Sequence, residues 1–445
     1  MIAIVVTTSS GESKRHLSAL PARLGHHQDR SSKSVPRPAQ GEHHRDRTPK
    51  PDPRPTLVEQ GKQIFRYDTF GDEAFWGGTL RLHEAVAGLT PRQALELGLK
   101  VDSESLPPEL RLQLRRGQVD LDDPATTRAL LRLDAVVGVA GVFSPDGQNL
   151  RSIGIRCALC HSTVDDTLTS GVGRRLDGWA NRDLNVGWII SAAPDLTAFA
   201  NLLGVDQETV RAVLQSWGPG KFDPMLALDG KAFRPDGESG AVLLPPAFGL
   251  AGIDLTTATG WGSISYWNNF VAVLEMHGQG SFVDPRLNDP QRFPIAAANG
   301  FFAVTQVPDL VTPKLPALRA YQLSLKAPSA PARSIDERQA TRGRALFRGK
   351  AQCATCHVPP FFTEPRGDLH TPQEIGIDDF QANRSPTGRY RTTPLKGLWT
   401  HMKGGFYHDG RFKTLEEVVL HYDRHFGLSL SGREVGDLVA YLKSL

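Results

Sequence analysis

QCATCHVPP, Gln352 to Pro360, decides the reading of this chain: two cysteines stand two residues apart and a histidine follows the second. The chain has 4 cysteines, and the other two lie in CALCH, Cys157 to His161, in the same order. With 14 histidines among 445 residues, one directly behind each pair is no accident of composition. Three chemistries use Cys-x-x-Cys. A zinc ribbon needs four thiolates at tetrahedral distance and leaves both histidines without a purpose. A thiol redox motif needs one reactive pair at a helix start and no histidine. Attachment of haem c uses all three residues, the thiols adding to two vinyl groups while the histidine sits under the iron as proximal ligand. The pattern points to two covalently bound haem c groups, on Cys157 and Cys160 and on Cys353 and Cys356. His161 and His357 are the iron ligands; zinc and dithiol chemistry stay as minor alternatives.

Each cluster lies between the same two flanking runs. GKQIF (Gly61–Phe65) and AYQLSL (Ala320–Leu325) enclose the first, GRALF (Gly343–Phe347) and AYLKSL (Ala440–Leu445) the second. Small cytochromes c have this plan, an opening helix whose glycine and aromatic pack on the aromatic of a closing helix. The run SGREVGDLVAYLKSL sets Val435, Leu438, Val439 and Leu442 at helical spacing, one apolar stripe. The Pro- and Ala-rich KAPSAPARS, Lys326 to Ser334, reads as a linker. The expected fold is mainly α, with two cytochrome c-like haem domains over 56–328 and 329–445. Phe347 stands close before Cys353 but Phe65 far before Cys157, so the first domain has large insertions. SISYWNNFVAVLEMHG, Ser263 to Gly278, reads as an inserted helix with Gly278 suited to its C-cap. Glu275 and His277 at its end are candidate catalytic groups, supplying a distal acid, base or iron ligand. An ordinary helix-end histidine is the alternative for His277.

Composition narrows the partners. A length of 445 residues allows two or three domains. The 51 basic and 48 acidic residues leave +3, too little to argue for nucleic acid or a membrane surface. The apolar runs AVVGVAGVF and MIAIVV fall short of the ~20 residues a membrane helix needs, so no membrane span is expected. Residues 1–55, rich in Pro, Ser, Arg and His, read as a disordered basic arm.

GRALF, CATCHVPPFFTE, YRTTPLKGLW, GGFYHDGRFKTLEEVVLHY and the closing helix, in that order, resemble the second haem domain of the bacterial di-haem cytochrome c peroxidase and MauG superfamily. The large insertions of the first domain are distantly similar to the di-haem rubber oxygenases. The resemblance implies a division of labour: a substrate-facing haem in the first domain meets peroxide or dioxygen, and an electron-relay haem in the second passes electrons to or from a redox partner of small cytochrome or cupredoxin type. It places Tyr422 where the peroxidases have a methionine ligand, as MauG-like enzymes do. A phenolate-like ligand stabilises oxidised iron, whereas Met with His raises the potential. Thr414 and Glu417 form a T-x-x-E capping box, so the helix starts there and His425 becomes a rival ligand beside Tyr422. A buried aromatic at Tyr422 and a sixth ligand at Met402 stay open. QSWGP, Gln215 to Pro219, matches a distal-loop run, yet the family's acid falls on Met225, in FDPM. The tryptophan held between haems is missing at its spacing, with Trp179 and Trp188 as substitutes. His408 in YHDGR implies a haem-side hydrogen bond, and calcium between the domains is implied near Thr393 and Pro394, in a run shifted by one residue. Haem c is attached outside the bacterial cytoplasm, so a periplasmic protein is expected. No signal peptide is visible in the arm, and the natural start is expected to differ from the one shown.

Overall fold

Thr56 opens the first helix by a reciprocal cap: its hydroxyl accepts from Glu59 N at 3.2 Å and its own N–H donates to the Glu59 carboxylate at 2.8 Å. The helices that position the sites are α1 (Leu57–Tyr67), α2 (Val186–Ser191), α3 (Gln207–Gln215), α4 (Ile264–Phe270), α5 (Leu315–Ser324), α6 (Glu337–Arg348), α7 (Leu415–Phe426) and α8 (Gly432–Ser444). The computed structural model describes residues 55–364, 366–401 and 403–445. Apart from Pro55, the expected basic arm lies outside these residues, as does Met402.

The two flanking runs form the same device twice. α1 packs on α5, and α6 packs on α8. At each crossing a glycine meets the partner backbone: a Cβ on Gly61 would stand 1.9 Å from the Ala317 carbonyl oxygen, and one on Gly343 1.9 Å from that of Asp437. The aromatics follow. Phe65 meets Tyr321 with ring centroids 5.5 Å apart, and Phe347 meets Tyr441 at 5.2 Å. Both phenylalanines are fully buried. Four aromatics of this kind, held in edge or tilted geometry, contribute about 0.5–1.5 kcal/mol per pair beyond their buried area. Val435, Leu438 and Leu442 of the expected stripe are buried, with Tyr441, and Val439 packs at the edge of the same cluster.

The described residues are mainly helical, with small two-stranded sheets. β1 (Val139–Phe143) and β2 (Leu150–Ile155) form an antiparallel hairpin that runs into the first cysteine cluster. β3 (Ser162–Val164), directly after His161, pairs with β4 (Arg175–Asp177). β5 (Lys221–Phe222) pairs with β6 (Val242–Leu243), and β7 (Leu369–His370) with β8 (Tyr390–Arg391). Thr56 to Leu445 belong to one compact unit. Contacts that join its earlier and later parts include polar ones: Arg384 is fully buried between Asp229, at 2.7 Å, and Asp223, at 3.1 Å, Leu243 N donates to the His408 carbonyl at 2.6 Å, and Lys403 reaches Asp183 at 2.5 Å.

The inserted helix departs from its expected form. Ser263 caps α4 through Tyr266 N, but after Phe270 the chain widens into a π-helical turn, Val271–Glu275. The αL position then falls on His277, at φ 62, and not on Gly278. Gly278 N instead reaches back to the Ala272 carbonyl at 2.8 Å. π-turns inside helices re-aim a residue and concentrate at functional positions. α7 also differs in detail. Thr414 accepts from Glu417 N, but the Glu417 carboxylate turns to Lys413 N, so only half of the expected capping box forms.

Candidate haem sites

Both cysteine clusters adopt the same local turn. His161 N donates to the Cys157 carbonyl at 3.2 Å, and His357 N to the Cys353 carbonyl at 2.9 Å. The four thiols are free and half-buried. Burial pushes Cys157 and Cys160 up to about 12 and Cys353 up to about 11. That direction is opposite to what a reactive redox dithiol needs. The clusters of potential metal-ligating side chains among the described residues are Cys356–Glu364–His370 and Asp378–His408–Asp409, and neither unites the two cysteine pairs as a zinc ribbon requires.

The histidines test the fit to haem. His161 Nδ1 stands 3.1 Å from the Pro245 carbonyl oxygen, and His357 Nδ1 3.1 Å from that of Phe362. A carbonyl only accepts, so Nδ1 carries the proton in both rings and Nε2 keeps its lone pair. Burial lowers the affinity of both imidazoles for a second proton. A neutral ring oriented by a carbonyl at Nδ1 is what an iron ligand requires. The residues present therefore fit a c-type haem.

The first cluster sits where two buried apolar groups meet. Ala158 and Cys157 belong with Met225, Leu274, Met276 and Trp267, whereas Leu159 and Cys160 belong with Trp76, Leu184 and Val186. Glu275 lies between Leu274 and Met276 and is buried, with both carboxylate oxygens unpartnered. Burial pushes it well above the usual carboxylate range, and the nearby charge of Asp223 adds to that. The matched family acid, Met225, is a buried apolar residue, and Asp223 beside it is spent on Arg384. Glu275 thus brings a carboxyl into the neighbourhood where FDPM fails to. His277 stacks on Phe75 with ring centroids 3.5 Å apart, and Trp76 meets its edge.

On α7 three candidates separate. His421 and His425 point their Nε2 atoms at the Ile375 and Glu374 carbonyl oxygens, at 3.3 Å and 3.1 Å. Burial pushes the Tyr422 hydroxyl up, the Tyr407 hydroxyl beside it opposes that, and Cys356 and Cys353 are near enough to add a smaller upward push. The Tyr422 ring lies 6.2 Å from that of Tyr407. His408 is buried against Tyr390, its Nε2 unpartnered. The backbone of Thr393 reaches the His357 ring.

Sequence reasoning named Trp179 and Trp188 together, and the structure divides them. Trp188 is 41% exposed on α2. Trp179 follows Gly178, whose N–H donates to the His161 carbonyl at 2.8 Å, and it meets Trp399 edge-on at 5.4 Å. Trp399 in turn follows Leu398, which packs with Phe347 and Cys353 around the second cluster. Trp399 itself was not singled out; its place in YRTTPLKGLW carried no signal of its partner.

Known relatives match part of the sequence. The chain is 36% identical over 122 residues to the methylamine utilization protein MauG of Methylorubrum extorquens. Over 149 residues it is 30% identical to a cytochrome-c peroxidase, IdrP2, of a Pseudomonas species. The chain is similar to the MauG and cytochrome-c peroxidase superfamily. Each of these matches covers 24% of this chain, and the chain spans only 34% and 39% of these MauG and peroxidase relatives. No family model matches. A MauG-like protein associated with microbial copper homeostasis aligns over 48% of this chain and 76% of its own, at 18% identity and a TM-score of 0.27.

Proposed function

We infer that the protein is a di-haem c-type oxidoreductase of the MauG and peroxidase kind, taking peroxide or dioxygen at the first haem and moving electrons through the second. The observation that carries this is the repeated histidine geometry, with Nδ1 donated to a carbonyl behind each free thiol pair. Haem held on these thiols supplies a redox-active iron at each site.

The chain's own residues divide the remaining work. Cys157 and Cys160, and Cys353 and Cys356, would hold the macrocycles. The Pro245 and Phe362 carbonyls fix the tautomers of His161 and His357 and raise their basicity as ligands. Glu275, kept protonated by burial, holds a proton at its carboxyl and would be the proton donor and acceptor on that side of the site, a role in which Met225 cannot serve. His277, stacked on Phe75, shapes the same side of the site as its second polar group. Tyr422 would be the further residue holding the iron at the later site, a reading supported by both neighbouring histidines on α7 being turned to backbone carbonyls. Trp179 and Trp399 join the segments that hang from the two clusters and give electrons an aromatic path. The electron partner is a small cytochrome or cupredoxin, and the setting is the periplasm; among the described residues no helix is long and apolar enough to cross a membrane. Calcium near Thr393 and Pro394 is a secondary expectation of the same reading.

A second reading, a dioxygenase acting on a hydrocarbon, is favoured by one feature. An apolar cavity of about 70 Å³ is lined by Leu82, Val101, Leu130, Val136, Leu159 and Ile190, and Leu159 lies inside the first cysteine cluster. Optical and EPR spectra of the purified holoprotein decide first. A high-spin ferric signal that changes on adding peroxide is the expected result. Two low-spin haems indifferent to peroxide would leave a plain electron carrier and end the enzymatic reading.

A further inference from the structure

Two half-buried arginines hold guanidinium nitrogens shielded from water with no counter-charge among the described residues, one beside each cysteine cluster. Nε and Nη1 of Arg182 and Nη1 of Arg391 are buried with no hydrogen-bond partner. The adjacent Asp183 is engaged elsewhere, by Lys100 at 2.8 Å and by Lys403 at 2.5 Å. Arg156 and Arg175, which also have shielded unpartnered nitrogens, each have a carboxylate, Asp134 at 2.5 Å and Asp102 at 3.1 Å. Arg182 and Arg391 have none of this kind among the described residues, and burial draws both guanidinium groups down to about 10. A guanidinium taken out of water without an anion is costly, so each position calls for one.

Their placement names the anion. Asn181 N donates to the Cys160 carbonyl at 2.9 Å, and Gly178 N to that of His161 at 2.8 Å, so the backbone carrying Arg182 is stitched to the first cluster. At the second, Phe362 holds His357 Nδ1, the next residue Thr363 donates to the Thr392 carbonyl at 2.5 Å, and Arg391 immediately precedes Thr392. The Arg391 Nε is spent on the Thr257 carbonyl at 2.9 Å, which aims the remaining fork. A haem attached through its vinyl groups brings two anions of its own, the propionate carboxylates. Guanidinium forks bind carboxylates by charge-assisted bonds, the strongest available to a buried cation.

We propose that Arg182 and Arg391 are the propionate-holding residues of the first and second haem, one per site, and that each sets the reduction potential of its own iron. This rests on the haem reading above. Removing the cation leaves an uncompensated carboxylate near iron, which favours the ferric state and lowers the potential.

The test is a spectroelectrochemical titration of the holoprotein carrying Arg182→Gln, Arg182→Lys, Arg391→Gln or Arg391→Lys. Covalent attachment keeps haem in place in all four. R182Q is expected to lower one of the two midpoints and R391Q the other, with the lysine variants close to the parent. Incomplete attachment of haem during maturation in a glutamine variant but not in its lysine counterpart also supports the assignment. Folded, fully loaded glutamine variants with both midpoints unchanged overturn it, as do lysine variants that shift as far as glutamine. A pyridine haemochrome assay showing no covalent haem in the parent protein defeats the haem reading itself, a separate result from unchanged midpoints.

Discussion

Trp179 meets Trp399 edge to face, with ring centroids 5.4 Å apart and planes 85° from parallel. One indole follows directly on the backbone bonded to His161, and the other is fixed by its Nε1 donating to the Pro328 carbonyl at 2.8 Å. On the proposed di-haem reading, two oxidisable rings in contact between the two cysteine clusters would shorten each electron step. Replacing either by phenylalanine is expected to slow electron equilibration between the haems while leaving both midpoints in place. Stopped-flow reduction followed at the Soret band checks this; an unchanged equilibration rate in the W179F/W399F double variant removes the pair from the path.

The glycine crossings give a stability prediction free of any cofactor. Gly343→Ala drives a methyl into the Asp437 carbonyl, so α6 and α8 must separate and Phe347 and Tyr441 lose their packing. Overpacking of this kind costs about 1–3 kcal/mol. Phe347→Ala, which empties a fully buried position, is expected to cost about 3–5 kcal/mol. Urea unfolding measures both, and a Gly343→Ala protein as stable as its parent would contradict the crossing.

Those crossings were legible in the sequence because their determinants are local: a glycine and an aromatic one helical turn apart, and a capped stripe from Ser431 onward. The cysteine clusters were legible because their chemistry lies within five residues. The Trp179–Trp399 contact was not, since it depends on how two segments far apart in the chain are brought together by Lys403–Asp183 and Leu243–His408. Arg182 was hidden for a different reason: an arginine's lack of a partner is a property of its surroundings, and nothing in LDGWANRD reveals that Asp183 is spent on two lysines. The αL turn at His277 escaped because Gly278 offered the more favourable residue for it, and the close packing of Gly278 against Phe70 displaced the turn by one.

Tyr422 and its neighbours separate by spectroscopy. Tyr422→Phe is expected to alter the low-spin signal of the second haem, whereas His425→Ala, whose ring is bonded to the Glu374 carbonyl, is expected to leave it unchanged. The reverse pattern would transfer the ligand role to His425.

Asp72 predicts a pH dependence of stability. It is fully buried, both carboxylate oxygens accept from Ile155 N at 3.1 Å, and burial pushes it from 3.8 to about 9. A folded value above the unfolded one means that the folded state keeps a proton the unfolded chain releases. The contribution is therefore complete below about pH 4 and falls as pH rises to about 9, by at most about 1.4 kcal/mol per pH unit. Asp72→Asn keeps a carbonyl acceptor and removes the titration. The melting temperature of the variant is expected to vary less between pH 5 and pH 8, on the order of this window, and parallel pH profiles for the two proteins would rule Asp72 out as the cause.

Glu275 carries the sharpest conflict between folding and chemistry. Its carboxyl is buried with both oxygens unpartnered, which costs about 1–3 kcal/mol even in the neutral form. Nothing in the packing of Leu274 and Met276 around it requires a polar group. Glu275→Met, close in length and apolar, is expected to raise stability in urea by about that amount and to lower the rate of the peroxide reaction at the first haem by about 10²–10⁴-fold, the range lost with a general acid or base. Glu275→Gln preserves size and polarity but carries no transferable proton, so it shares the kinetic loss without the gain in stability. A Glu275→Met protein that is both more stable and fully reactive toward peroxide would show that the buried carboxyl has no part in proton transfer, and would leave His277 as the polar group on that side of the first site.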